Sequence, residues 1–363
     1  MLVITVISQA LIYLCVGLCI GHFILSIVKS SAQPKIEVHL NILRISIIGI
    51  VIFSFVPILQ NVLFLSSRIG FIEALKTAIF TFEIGKAWIL IFFISIVFLK
   101  FIHTFDQQRN KLYGIFGLSI SISLILILGW FSHASSIDRV WGFIGDTLHL
   151  LAVSVWVGTL IVVSWFSKNH ENWFRFLKWY TPIAIVCLLV TIFTGVLLMN
   201  FMVDFEEYTN SWLIPYGQAL LWKHLLIIPL LVYAFINGIF IHWRLKKIFD
   251  FNPIPWARIE SIIILLIFSA TAALGEQSPP KVTPLKSENL SSLFQTFYHG
   301  QVAPDMIVNL SLNWTSVSLL ILSILFLALI IFSYIRKVPA LFSFLMSLCL
   351  VFCVYLSLMF SIQ

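Results

Sequence analysis

His149 stands in the run TLHLLAVSVWVG, among side chains that belong in lipid, and Asp146, Val153 and Trp156 recur around it at spacings of three and four. On a helix those four residues share one stripe. With Trp141 at a membrane edge, His149 lies roughly 12 Å inside it at 1.5 Å per residue, too deep for an imidazole to reach water. An ionisable group at such depth marks a functional site whose partners come from neighbouring helices. His133 ends the preceding apolar run and would stand at the mouth of that site. Met199 and Met202 close a later run, just before the acidic stretch Asp204, Glu206 and Glu207. Thioethers select Cu(I), imidazole suits copper and zinc, and an acidic lip attracts cations. Asp146 would orient a ligating histidine through its other ring nitrogen. The competing reading is that methionine packs well and acidic residues belong outside.

Tyr216, Lys223, Leu230 and Asn237 repeat every seven residues, so Lys223 and Asn237 share a helix face with a tyrosine. Lys223 and His224 fall at about the depth of His149. A lysine there requires a partner, with Asp146 or an outer-loop carboxylate the candidate. Two adjacent residues are about 100° apart on a helix, so at most one of Lys223 and His224 points squarely at any one neighbour. Cys15, Cys19 and His22 share a face of the first apolar run, a donor set suited to Cu(I) or zinc. Cysteine also behaves as a small apolar residue, and that reading competes. All five cysteines fall in apolar runs, which argues against an extracellular disulfide framework.

The elements that must position these side chains follow from hydropathy. The 363 residues are 60% hydrophobic and 10% charged, with mean hydropathy +1.05, a balance found in polytopic membrane proteins. Ten apolar runs are long enough to span a bilayer: 2–28, 40–66, 84–104, 111–132, 140–167, 174–203, 215–243, 256–275, 314–335 and 338–360. The expected fold is therefore an all-α polytopic bundle of about ten transmembrane helices. No alternation of short segments suggests a β-barrel. Lys and Arg concentrate in alternate loops, among them Lys168, Arg175 and Lys178, then Arg244 and Lys246. The positive-inside rule then puts both termini outside the cytoplasm. The first run lacks a basic start and a cleavage site, so it reads as a span and not as a signal peptide. The net charge of +7 sits in loops and does not point to nucleic acid.

Four parts are expected: helices 1–3 in 1–110, a core of helices 4–8 in 111–280, an extracytoplasmic loop 281–313 containing His299, and a hairpin 314–363. Pro57 should kink the second helix, and the stretch 66–83 should include an interfacial helix. Glu260 near the cytoplasmic edge is read as either anchored by Arg258 or part of a site. No Walker motif, HExxH or GxSxG is present and the cytoplasmic loops are short, so the chain does not read as an enzyme.

From Gly129 to Pro280 the chain resembles the CopD family of bacterial copper-resistance membrane proteins. The resemblance rests on Ser132-His133-Ala134, the HLLAVSVWVG run with His149 and Trp156, Thr194-Gly195, YGQALLWKH from Tyr216 to His224, Asn237, the Arg258–Glu260 pair and the ending from Ala273 to Pro280. It implies copper handling at the bacterial cytoplasmic membrane, usually inward movement. These residues include no copper-binding β-domain or His/Met-rich tail, which leaves delivery by a separate extracytoplasmic carrier open.

The reading is thus copper transport through an outer-half site of His133, His149, Met199 and Met202, with Asp146, Trp156, Tyr216, Lys223, His224 and Asn237 along the path. A b-type haem protein is the alternative, with His149 and His224 as one axial pair and His103 and His242 as a second. A structural or assembly factor is a third.

Overall fold

The computed structural model describes residues 2–105, 110–247, 251–281, 289–298 and 307–362. His299 and the parts 282–288 and 299–306 of the predicted outer loop lie outside the described residues. Among the described residues ten helices are long and apolar enough to cross a membrane: α1 Leu2–Ile27, α2 Leu40–Ile69, α3 Glu83–Phe105, α4 Lys111–Trp130, α5 Trp141–Phe166, α6 Trp173–Met202, α7 Pro215–Phe235, α8 Ile254–Gly275, α9 Trp314–Ile335 and α10 Ala340–Phe360. The α7 span continues to Lys246 through a π turn at Ile236–Phe240. β-type pairing is confined to two isolated bridges, Ile36 with Ser167 and Leu310 with Ile362, again among the described residues. The chain is an all-α, multi-pass membrane protein, as the hydropathy runs predicted. In lipid the backbone must satisfy its own hydrogen bonds, and helices do so within each segment.

Local chemistry sets where the helices begin. Asn110 caps α4 by accepting from the Tyr113 N–H at 2.9 Å. Asn313 and Ser316 form a capping box at the start of α9. Pro215 opens α7, where its missing N–H costs nothing. Between α4 and α5, Ser132 caps a short helix His133–Ile137, and Asp138 accepts from the Val140 and Trp141 N–H groups at 3.0 and 2.9 Å. Arg139 lies over the Trp130 ring, 4.0 Å from its centroid. The stretch 66–83 holds the short helix Phe71–Lys76, with Phe71, Ile72, Glu73 and Lys76 exposed and Ala74 buried.

The chain divides into two compact units, Met1–Leu198 with His242–Ile254, and Met199–Ile241 with Pro255–Gln363. In the first unit α1 packs against α2, α4 and α5, and α5 is the most buried span, with 67% of its apolar window inside. Glycine makes this possible: a methyl at Gly21 would run into the Gly158 carbonyl, and one at Gly158 into that of Gly17. Gly17 and Gly21 are one turn apart, the small-residue spacing that lets helices in lipid approach closely. In the second unit α9 and α10 pair as a hairpin, and α10 packs on α7. Tyr233 shares its hydroxyl with Ser343 and Ser347 at 2.8 Å each, and Tyr355 donates to Gln218 at 2.7 Å. The hairpin thus brings polar partners to α7 that its apolar sequence did not announce.

Candidate functional site

The first unit holds His133, Asp146, His149 and Trp156. His133 is exposed at the start of its short helix, and Asp146 and His149 are half-buried on α5. Trp156 is buried, and its carbonyl accepts from Tyr180 at 3.1 Å. His149 Nδ1 lies 3.0 Å from Thr194 Oγ1 on α6. Thr194 is buried, and its hydroxyl donates to the Val190 carbonyl at 2.7 Å. A hydroxyl has one hydrogen, so toward His149 the oxygen accepts and Nδ1 carries the proton. A neutral ring held in this way carries its lone pair on Nε2. This is the state in which a histidine ligates a metal ion, its other nitrogen fixed by a donated hydrogen bond. Gly195 lies beside the ring: a methyl there would stand in ordinary contact, 3.5 Å from His149 Cε1.

Cys15 and Cys19 are buried one turn apart on α1, with Cys15 Sγ against Gly49 of α2. His22 is buried edge-on to Phe23 and Tyr113 at centroid distances of 5.0 and 6.3 Å. Among the described residues no three His, Cys, Asp or Glu side chains are gathered as around a metal ion, these three included.

The second unit holds the methionines. Met199 and Met202 pack with Tyr208 and Leu274 on a buried cluster of Val203, Ile214, Tyr216 and Leu220. Met199, Met202 and Tyr216 are therefore together. Lys223 and His224 are half-buried on α7, and His224 Nδ1 is 2.7 Å from the Tyr208 hydroxyl. Burial pushes the Tyr208 hydroxyl up to about 12, so it remains a phenol at physiological pH. Tyr208 was not singled out by sequence reasoning. Its partner is 16 residues away across a loop, and no helical spacing links them.

The acidic lip is less acidic than its sequence suggests. Lys281 Nζ lies 2.8 Å from Asp204 Oδ1 and donates to the Asn200 carbonyl at 2.6 Å, while Glu207 accepts from Asn210 at 2.9 Å. Asp204, Glu207, Ser211, Pro280 and Lys281 line a hollow of about 200 Å³. Asn237 is buried in the π turn, and its Nδ2 donates to Glu260 Oε2 at 2.6 Å. Glu260 is therefore held by Asn237.

The proposed haem pairs gain no support. His103 engages Arg44 at 3.1 Å, and the His242 ring lies against Phe174 at 4.6 Å.

Residues 174–274 match the family model described as copper resistance protein D, CopD. The copper transport protein CutJ of Bacillus subtilis (strain 168) is 26% identical to the chain over 211 residues, which is 55% of this chain and 38% of that protein. The chain therefore spans well under half the length of the relative it matches. No solved structure matches it. Thr194, the two methionines, Tyr208, Tyr216, Lys223, His224, Asn237 and Glu260 fall inside the family stretch, whereas His133, Asp146, His149 and Trp156 precede it. From α6 to the end of α8 this membrane protein is similar to the CopD family, within the stretch where its residues carried that resemblance.

Proposed function

We propose that the chain carries copper ions across a bacterial cytoplasmic membrane, inward, with both termini on the extracytoplasmic side. The observation that carries this reading is the His149 ring, half-buried in a span with its Nδ1 held 3.0 Å from Thr194 Oγ1, which makes Nε2 the ligating nitrogen of the neutral ring. The CopD stretch and the name of the Bacillus relative supply the metal. Its ligands are His133, His149, Met199 and Met202, neutral imidazoles and thioethers of the kind Cu(I) prefers. A permeating ion must leave as well as bind, so each stop uses two or three of these ligands and not a closed cage. An extracytoplasmic carrier delivers the ion.

The test is copper accumulation in cells expressing the chain, with protein levels measured in parallel. His149→Ala and His133→Ala lower accumulation at unchanged expression. Accumulation equal to the unsubstituted protein at equal expression would remove the site.

A further inference from the structure

Glu260 is 3% exposed on α8, six residues from the helix start, or about 9 Å into the span. A carboxylate buried in a membrane helix is rare and functional by default. Asn237, 8% exposed in the π turn of α7, donates through Nδ2 to Glu260 Oε2 at 2.6 Å and to the Trp256 carbonyl at 3.3 Å. The other end of the same amide is unsatisfied: Asn237 Oδ1 is buried and has no hydrogen-bond partner among the described residues. An ionised carboxylate offers that oxygen nothing, because it only accepts. A carboxylic acid offers a hydrogen, and an amide facing a carboxylic acid closes a ring of two hydrogen bonds. Nδ2–H then donates to Oε2, and the acid O–H donates to Oδ1. Burying either group unpaired is costly, and one proton satisfies both.

We propose that Glu260 is a proton-binding site within the membrane, its neutral carboxyl closed in a two-hydrogen-bond ring with Asn237. A metal cation is a poorer occupant, since one carboxylate and one amide oxygen are far short of the six or more oxygens that hard cations collect. Arg258 is half-buried on the same helix, two residues before Glu260. Arg336 and Lys337 beyond α9 are exposed, Arg336 over the Phe332 ring at 5.3 Å. From α10 come only serines, Ser343 and Ser347, bonded to Tyr233. Exchange requires the ring to open. The π turn, a helix irregularity frequent at functional sites, carries the residue that must move. Release breaks the Oε–H bond and hands the proton to water, leaving the carboxylate pair of electrons on Glu260, with no redox step.

Joined to copper movement, which rests on the function proposed above, the site makes transport proton-coupled. Two measurements on the full chain in lipid nanodiscs and proteoliposomes separate the two ideas. Infrared difference spectra at pH 7 between the unsubstituted protein and Glu260→Gln show a carboxylic-acid C=O band that the variant lacks. Asn237→Leu shifts that band or converts it to a carboxylate. Glu260→Gln keeps both ring hydrogen bonds through its own amide, so it folds. With Cu(I) as the probe, its copper uptake falls at least tenfold while Cu(I) binding stays within twofold. A carboxylate band for Glu260 in the unsubstituted protein would overturn the proton site. Undiminished uptake by Glu260→Gln would overturn the coupling. If the unsubstituted protein takes up no copper, the transport reading fails while the infrared band still decides the proton.

Discussion

His149 Nδ1 meets Thr194 Oγ1 at 3.0 Å, across two helices and 45 residues of sequence, and the hydroxyl's own hydrogen goes to Val190. Thr194 therefore fixes which nitrogen of the ring can bind a metal ion. Thr194→Val keeps the β-branched shape and removes the acceptor. Loss of such an orienting partner costs 10- to 100-fold in metal affinity. Cu(I) titration of the purified protein against a chromophoric chelator should show that loss, and Thr194→Ser should restore most of it. Equal affinities in all three proteins would mean that the contact only packs α5 against α6.

Met199 and Met202 pack on the Val203, Ile214, Tyr216 and Leu220 cluster, so their side chains have a structural role whatever else they do. Leucine conserves volume and costs less than about 1.5 kcal/mol in such a place. Met199→Leu and Met202→Leu should then melt close to the unsubstituted protein and differ in copper response, with the double variant lowest. A fall in Tm that tracks the fall in copper uptake would assign the effect to packing and not to sulfur.

Lys281 neutralises Asp204 at the hollow they line with Glu207 and Ser211. Lys281→Gln leaves Asp204 and Glu207 uncompensated and deepens the negative field over the hollow. The initial rate of copper uptake should rise at low ionic strength. The gain should fade toward physiological salt, where the Debye length is about 8 Å. A rate that is indifferent to both the substitution and the salt would place cation capture elsewhere.

How much of this was legible follows from what each signal requires. The ten spans were read within three residues of their ends, because a span must be long, apolar and bounded by caps or charge, all local properties. The stripe through His149 was equally legible, since helical periodicity is fixed. Thr194 was visible only as part of a resemblance, and Tyr208 not at all, because a hydrogen bond between elements depends on how helices cross. The Gly17 and Gly21 pair was a signal left unread: its spacing announces a close helix contact, and α5 fills it. The seven-residue stripe of α7 assumed unbroken α-helix. The π turn at Ile236–Phe240 interrupts that register, and Asn237 sits within it. The acidic lip was misjudged for a similar reason, since Lys281 comes from 77 positions downstream of Asp204 to neutralise it.

Glu276 follows the last turn of α8, half-buried, and burial holds its carboxyl above the usual carboxylate range. A group whose folded-state pKa is raised binds its proton more tightly in the native state. Its contribution to stability is fully present below the unfolded carboxylate pKa of about 4.3 and is lost as pH rises through the higher folded value. At neutral pH the ionised, half-buried carboxylate therefore costs stability. Glu276→Gln removes that cost, so the variant's Tm should exceed that of the unsubstituted protein by about 1–3 °C at pH 7.5, a gain reduced by the solvent that still reaches the group. At pH 4 the two should melt together. Thermal scans of both proteins in one detergent at the two pH values check the sign, and a variant less stable at pH 7.5 would mean that Glu276 accepts a stabilising partner there.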